Sequence, residues 1–212
     1  MIELSSPENV LKAAAHLQKY DPILSDVIKR TPLPQYVPHK KYYEELVGSI
    51  ISQQLSVKAA ATILKRFKDL FSADFPTPED ILATDIEELR AVGLSRQKAS
   101  YIKDLALHVL EGSVQFDHLD TLSNQGVIDE LVKIKGVGVW TVHMFLISCM
   151  GRLDVLPVGD LGIKNGIHTL YSLPEKPTPE DIQTVALNNH WHPYESVASW
   201  YVWHSLDNKP AL

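Results

Sequence analysis

Asp160 is the carboxylate whose place in the sequence best suits chemistry. It follows VLPVG, an irregular segment with a proline and a glycine, and it precedes LGIKNGIHTL, a helical pattern. An aspartate here commonly serves as the N-cap of the helix. The positive helix end also keeps the carboxylate ionised, so that it can stabilise a developing positive charge or activate a water molecule. The residues alone leave both interpretations open.

A pair of glycines, Gly136 and Gly138, interrupts the apolar pattern of LVKIKGVGVWTVHMFL (131–146). Glycine allows positive φ and lets another backbone or a ligand approach closely. Gly138 opens the second helix, where unpaired N–H groups attract an anion, and Lys135 adds a positive charge beside it. These features predict a phosphate seat of the kind that positions nucleic acid without reading its sequence. The alternative is a plain helix–helix turn with glycine caps.

The elements that must position these residues are helical nearly throughout. Apolar residues recur three and four apart, and the only candidate strands are too short to build a sheet. TPEDIL (77–82) and TPEDIQ (178–183) each predict a helix start, with threonine as N-cap and proline at the first position. The sequence therefore predicts an all-α fold. We expect helices in PENVLKAAAHLQKY, in DPILSDVIKR, and near residues 40–54, 56–71, 85–92, 95–111, 121–134, 140–150, 161–172 and 194–206.

Composition indicates a soluble, intracellular protein. The 212 residues include one cysteine, Cys149, which excludes a disulfide framework and a four-cysteine cluster. No signal-peptide pattern is visible, and no uncharged apolar run approaches the roughly 18 residues of a membrane span. The net charge of −6 argues mildly against nucleic acid. Clustered lysines and arginines leave room for one basic face.

Several motifs together resemble those of the helix-hairpin-helix DNA glycosylase superfamily. IKGVGVWTVHMF followed by VLPVGDLGIKNGI resembles its hairpin and essential aspartate. SIISQQLS (49–56), VGLSRQKASYI (92–102) and WHPYESVASWYVW (191–203) are similar, in order, to motifs of its alkylation-repair branch, the 3-methyladenine DNA glycosylases of fungi and bacteria. The resemblance spans roughly residues 40–206.

The resemblance implies a single domain over residues 1–212, built of two helical lobes that flank a DNA-binding cleft. A central lobe of about residues 40–150 would contain the hairpin at 131–146. The N-terminal helices, residues 1–39, would pack with the C-terminal helices, residues 160–206. The expected partner is duplex DNA with alkylated bases, and the expected state is a monomer in the nucleus of a eukaryote or the cytoplasm of a bacterium.

The same resemblance implies the roles of the site residues. Asp160 would be the catalytic aspartate that stabilises an oxocarbenium-like state. Trp140, Trp203 and Met144 would line the pocket for a flipped, electron-poor base, which aromatic faces attract by stacking and cation–π interaction. Trp191 and Trp200 are better explained as core residues.

DNA contacts are also implied by the resemblance. Gln54 would be the side chain that fills the hole left by the flipped base, with Gln53 and Ser56 beside it in the minor groove. Ser56 is equally suited to cap the following helix. The remaining implied DNA contacts are Lys135, Gly136, Gly138 and Lys164. The family often binds a monovalent cation, sodium or potassium, through hairpin carbonyls, here those of Lys135 and Val137. No other cofactor is expected.

Trp140 also bears on the type of reaction. Relatives that cut the strand carry a Schiff-base lysine two residues after the second hairpin glycine, and this chain has Trp140 there. The resemblance therefore implies a monofunctional glycosylase that uses water. A bifunctional enzyme for oxidised bases would lack both its lysine and its cysteine cluster. A metal enzyme is disfavoured because the histidines show no ligand spacing.

Three departures from the family pattern keep a second hypothesis open. Glu195 stands where the family usually has arginine, His204 stands where a basic residue usually follows, and Met144 replaces an aromatic residue frequent in bacterial relatives. Glu195 and the acidic total favour a catalytically weak or inactive protein that binds damaged DNA. The retained Asp160 favours the enzyme.

Overall fold

The computed structural model describes residues 5–206, and all regular structure among them is helical. A 3-10 helix, Phe116–Thr121, and a π-helical turn, Phe145–Cys149, accompany the α-helices. The predicted all-α fold is confirmed. The α-helices are α1 Pro7–Tyr20, α2 Pro22–Ile28, α3 Tyr42–Ser52, α4 Val57–Asp69, α5 Pro78–Ala83, α6 Ile86–Ala91, α7 Arg96–Leu110, α8 Asn124–Leu131, α9 Val139–Met144, α10 Leu161–Leu170, α11 Pro179–Asn188 and α12 Glu195–Ser205.

The described chain divides into two compact units. The N/C unit joins residues 5–39 to residues 146–206 and contains α1, α2 and α10–α12. The central unit is Lys40–Phe145 and contains α3–α9. The chain passes from the central unit to the N/C unit inside the π-helical turn.

The two TPED segments begin helices as the sequence predicts. In α5 the Thr77 hydroxyl accepts a hydrogen bond from Asp80 N at 3.2 Å, and the Asp80 carboxylate accepts one from Thr77 N at 3.0 Å. Thr178 and Asp181 form the same reciprocal pair at the start of α11. Each pair satisfies N–H groups that the first helical turn leaves unpaired. The predicted helix starts are therefore confirmed.

The N/C unit is organised around a buried carboxylate, Asp21. Its Oδ1 caps α2 by accepting from the backbone N–H groups of Ile23 and Leu24 at 3.0 and 2.9 Å. Its Oδ2 accepts from Trp191 Nε1 at 2.8 Å and from the Tyr171 hydroxyl. Burial and the nearby Asp21 charge raise the pKa of Tyr171, so this tyrosine remains a neutral donor. One carboxylate thus connects α2 to residues 150 and 170 positions further along the chain.

The aromatic residues assigned to the core lie there. Trp191 is fully buried, and Trp200 is 7% exposed. Both belong to the core cluster of the N/C unit. Cys149 is buried as well, with its Sγ 3.5 Å from the backbone oxygen of His39. No helix within residues 5–206 combines the length and apolar character needed to cross a membrane.

In the central unit, two lysines of α7 close the carboxyl ends of other helices. Lys98 Nζ donates to the carbonyl oxygens of Ile51 and Gln53, at 2.8 and 2.6 Å, where α3 ends. Lys103 Nζ donates in the same way to Leu82 and Thr84, where α5 ends. An ammonium group suits this position because the last carbonyls of a helix lack backbone partners and carry negative partial charge.

We expect Asp21→Asn to destabilise the N/C unit. The asparagine oxygen can still accept hydrogen bonds, but its NH₂ group would face the Trp191 N–H, a donor that would then be buried without an acceptor. The cost should be about 2–4 kcal/mol in the free energy of unfolding, measured by urea denaturation. Leu187→Gln on the exposed face of α11 is the control, since Leu187 is 76% exposed. A loss below about 0.5 kcal/mol for Asp21→Asn would contradict this role of Asp21.

Candidate functional site

Asp160 is the N-cap of α10, as one of the two sequence interpretations predicts. Its backbone is extended, with φ −72° and ψ 131°, and its Oδ1 accepts from Ile163 N at 2.8 Å. The carboxylate is half-buried at the amino end of a ten-residue helix. The capping interaction fixes the side chain of Asp160 against that helix end. It is compatible with the catalytic interpretation, because the cap supplies the orientation that a catalytic carboxylate requires.

Trp203 contacts the same carboxylate oxygen from α12. Its indole Nε1 donates to Asp160 Oδ1 at 2.8 Å, and the ring is partly buried against the core of the N/C unit. The structure thus brings together two of the predicted site residues, separated by 43 positions in the chain. Lys164, another predicted residue, lies one turn into α10 and is half-buried.

Two glycines of α10, neither of them among the predicted site residues, allow this contact. A Cβ on Gly162 would lie 2.9 Å from Trp203 Cδ1 and 3.0 Å from Asp160 Oδ1. A Cβ on Gly166 would lie 3.0 Å from the carbonyl oxygen of Val202. Larger residues at either position would force α10 and α12 apart. The four-residue spacing of these glycines, on one face of a helix, was the available signal.

The departures at Glu195 and His204 have local explanations. Glu195 is the first residue of α12, and its side chain is only 14% exposed. Its Oε1 lies 2.9 Å from His192 Nδ1, and a carboxylate suits the positive end of a helix. The His204 ring stacks on Trp200 with centroids 3.8 Å apart. Both residues therefore have structural roles in the N/C unit.

The turn of the hairpin is longer than the sequence predicts, and the helices on either side of it are shorter. Helix α8 ends at Leu131 and α9 begins at Val139, whereas the sequence predicted helices over 121–134 and 140–150. The second helix changes to the π-helical turn at Phe145. Ile134 is fully buried within the turn and secures it to the core. The longer turn therefore has an apolar anchor of its own.

The two hairpin glycines meet different constraints. Gly136 has φ +82°, and a Cβ there would lie 2.7 Å from Cγ of the Tyr101 ring. Gly138 is the N-cap of α9 with φ −98°, and no heavy atom lies within 4 Å of the position its Cβ would take. The fold accounts for Gly136. It does not account for Gly138, whose open surroundings suit the approach of an external group.

Lys135, predicted as a phosphate contact, is paired with Asp104. Its Nζ lies 2.8 Å from Asp104 Oδ1, and its backbone N–H donates to Oδ2 at 2.9 Å. Burial raises the pKa of Asp104, but the hydrogen bonds and charge of Lys135 outweigh burial and bring this pKa below its usual value. The Lys135 side chain is 74% exposed, so its ammonium group lies at the surface of the hairpin.

The turn between α3 and α4, Gln53–Ser56, contains the other predicted DNA contacts. Ser56 caps α4 by accepting from Ala59 N at 3.3 Å, which confirms its capping role. Gln54 is exposed and has φ +57°. The Gln53 amide Nε2 donates to the Gly136 carbonyl at 2.8 Å and so connects this turn to the hairpin. The structure thus gives Gln53 a role within the protein, in addition to the predicted DNA contact.

Two of the residues predicted for the base pocket lie on α9, and their role stays a prediction. Trp140 lies in the first turn of α9 and is 49% exposed, and Met144 is half-buried at the end of the same helix. An exposed tryptophan of this kind offers a face for stacking. The cation site at the carbonyls of Lys135 and Val137 stays a prediction. The described residues contain no group of three or more histidine, cysteine, aspartate or glutamate side chains able to hold a metal ion.

The chain matches the family model of the HhH-GPD superfamily base excision DNA repair proteins over residues 47–190. It is 37% identical to DNA-3-methyladenine glycosylase 1 of Schizosaccharomyces pombe over 202 residues, which cover 92% of this chain and 87% of that protein. Alkylbase DNA glycosidase-like protein mag2 of the same yeast is 32% identical over 209 residues, covering 94% and 95%. The solved structure of the Schizosaccharomyces pombe 3-methyladenine DNA glycosylase in complex with abasic DNA has a TM-score of 0.80 at 37% identity and covers 93% of this chain and 97% of that one.

We expect Gly136→Ala to destabilise the folded protein and Gly138→Ala to leave its stability nearly unchanged. Alanine at 136 needs an unfavourable positive φ and displaces the Tyr101 ring, at a cost of about 2–4 kcal/mol. Alanine at 138 meets open space and changes only the N-cap, at a cost within about 1 kcal/mol. Chemical denaturation without DNA measures both. Equal losses would show that the two glycines do not differ in this way.

Proposed function

Because this chain belongs to the HhH-GPD superfamily of base excision DNA repair proteins, we propose that it is a DNA glycosylase for alkylated purines of the 3-methyladenine type. It would hydrolyse the N-glycosidic bond of such a base after the base flips out of duplex DNA. The observation that carries the proposal is the Asp160 carboxylate, held by the Ile163 N–H and the Trp203 indole.

Asp160 supplies the charge that this reaction needs. Cleavage of the glycosidic bond leaves positive charge on the sugar, and a fixed carboxylate stabilises that oxocarbenium-like state. The attacking water loses a proton, and the same carboxylate can receive it. An alkylated purine carries a positive charge before it leaves, so the departing base requires no general acid. One carboxylate is therefore sufficient.

Aromatic side chains provide recognition of the cationic base. Trp203 touches the carboxylate and can present its ring beside the reacting sugar or the base. Trp140 and Met144 are the other residues proposed to recognise the base, and the Trp140 side chain is 49% exposed. Stacking and cation–π attraction favour an electron-poor alkylated purine over a neutral one.

The hairpin would hold the DNA backbone. At the amino end of α9, Gly138 leaves the backbone open to approach with no side chain in the way, and the exposed Lys135 ammonium adds positive charge. These groups suit a phosphate, and Lys164 is the corresponding candidate in α10. Cation binding by the Lys135 and Val137 carbonyls is part of the same proposal, and Gln53 already occupies the Gly136 carbonyl between them.

Trp140 supports a reaction without strand cleavage. A glycosylase that also cuts DNA needs an amine to form a Schiff base at the sugar. This chain has an indole at the corresponding position, and Lys135 is engaged by Asp104. Water is therefore the proposed nucleophile, and the product is DNA with an abasic site.

We expect the protein to release free alkylated purine from methylated duplex DNA while the strand stays intact. The strand should break only when alkali cleaves the abasic product. Chromatography of the released base and gel analysis of the strand, before and after alkali, measure the two events separately. A covalent protein–DNA adduct trapped by borohydride would contradict the proposed use of water.

A second prediction separates binding from chemistry with two variants. Asp160→Asn keeps an oxygen that can accept from Ile163 N and Trp203 Nε1 but loses the charge, so single-turnover excision should fall about 100-fold or more with affinity retained. Gly138→Asp places a negative charge at the proposed phosphate seat. Affinity for duplex DNA should fall roughly 10- to 100-fold at low salt.

The pattern of losses decides between the hypotheses. If both variants lose binding and excision in proportion, Asp160 acts only as a helix cap. If the wild type binds damaged DNA and never releases a base, the protein is a damage binder without turnover. Only a binding defect in Gly138→Asp with a rate defect in Asp160→Asn supports the enzyme.

A further inference from the structure

Helix α7 holds both turns of the central unit that are proposed to contact DNA, the Gln53–Ser56 turn and the hairpin. Lys98 donates to the carbonyls of Ile51 and Gln53, which end α3. Tyr101, three residues further along α7, places its ring against Gly136. Asp104, three residues further again, binds the backbone N–H and the side chain of Lys135. These three α7 residues are spaced three apart and therefore lie near one another on the helix surface.

The two turns are also connected to each other. The Gln53 side chain donates to the Gly136 carbonyl at 2.8 Å, while the Gln53 carbonyl accepts from Lys98 at 2.6 Å. Gln53 is therefore fixed at its backbone by α7 and at its amide by the hairpin. The residue that follows it, Gln54, is exposed with φ +57°. A residue other than glycine keeps a positive φ only where its surroundings impose it.

We propose that Lys98 is a positioning residue for base flipping, which holds the Gln53–Ser56 turn so that Gln54 projects toward the DNA in a fixed direction. This inference rests on the proposed function and on Gln54 as the side chain that fills the vacated stack. Lys98 acts through the backbone of Gln53, not by touching DNA. Burial lowers the pKa of Lys98, as expected for an ammonium group that has exchanged water for two carbonyls.

Lys103 provides a matched control within the same helix. Its ammonium group also donates to two carbonyls at a helix end, those of Leu82 and Thr84, and its side chain is half-buried like that of Lys98. The helix end that Lys103 closes belongs to α5 and is not followed by the Gln54 turn. Replacing either lysine by methionine removes the same type of interaction. Only Lys98→Met disturbs the turn that carries Gln54.

The first experiment measures flipping without catalysis. The full-length protein is saturated with a duplex that carries 2-aminopurine opposite a tetrahydrofuran abasic analogue, and the fluorescence rise on binding reports unstacking. Losing a charge-assisted contact of this kind should shift the flipping equilibrium about tenfold. With flipped and stacked states about equally populated in the wild type, the rise should then fall roughly fivefold in Lys98→Met. Lys103→Met should retain the wild-type rise. Lys98→Arg, which keeps a charged donor, should restore most of it.

The second experiment compares excision of one alkylated purine in two duplexes, one with its normal partner and one with the abasic analogue opposite. Unpairing is easier in the second duplex, so Lys98→Met should slow excision more in the first. A general loss of structure would slow both equally. If Lys98→Met does not fold, Lys98→Gln, which keeps a donor without the charge, should give an intermediate defect in both experiments.

The outcomes separate this inference from the proposed function. The proposed function is contradicted if the wild type unstacks the 2-aminopurine probe but releases no alkylated purine in the second experiment. The comparison of Lys98→Met with Lys103→Met still decides the role of Lys98 in that case. Equal fluorescence defects in Lys98→Met and Lys103→Met overturn the inference. So does a Lys98→Met protein with the wild-type rise, or a wild type that binds DNA with no rise.

Discussion

The contact between Asp160 Oδ1 and two N–H groups is the interaction on which the candidate site depends. One donor, Ile163 N, comes from the helix that Asp160 begins, and the other, Trp203 Nε1, comes from α12. The carboxylate can satisfy both only because Gly162 and Gly166 let the helices approach closely. A cap that stabilises α10 and a charge oriented for chemistry are therefore the same hydrogen-bonded unit. The capping role of Asp160 and its proposed catalytic role are therefore compatible.

In the central unit, too, side chains of a neighbouring helix fix the shape of the candidate site. Its hairpin has no regular structure of its own between Leu131 and Val139, and it takes its shape from α7 through the Tyr101 ring and the Asp104 carboxylate. The Lys135 N–H donates to Asp104 of α7, and the Gly136 carbonyl accepts from Gln53, so two backbone groups of the hairpin are engaged by side chains and not left to water. A turn held in this way can offer its remaining N–H groups to a ligand with little loss of conformational entropy on binding.

The sequence predicted those features that depend on neighbouring residues. Capping by Thr77, Thr178 and Ser56, the N-cap at Asp160 and the burial of Trp191 all follow from local pattern or hydrophobicity. The pairing of Lys135 with Asp104, 31 positions away, and of Gln53 with Gly136, 83 positions away, could not be predicted, because nothing in either segment identifies its partner. The predicted helix lengths around the hairpin were wrong. Ile134 is buried in the turn, so the apolar pattern continues past Leu131, where α8 ends. The catalytic and DNA-binding roles came from resemblance, and the residues themselves left them open.

The unlike surroundings of the two hairpin glycines have a consequence for descent. Gly136 is held by Tyr101 and by its backbone angle, so purifying selection for folding alone preserves it. Gly138 faces open space, so packing places no restriction on its side chain, and the proposed phosphate contact is the constraint that would keep it as glycine. In a lineage that gave up this ligand, the second glycine would drift while the first stayed. Comparing the residues at positions 136 and 138 in a related protein would therefore indicate whether that protein has kept the proposed DNA contact.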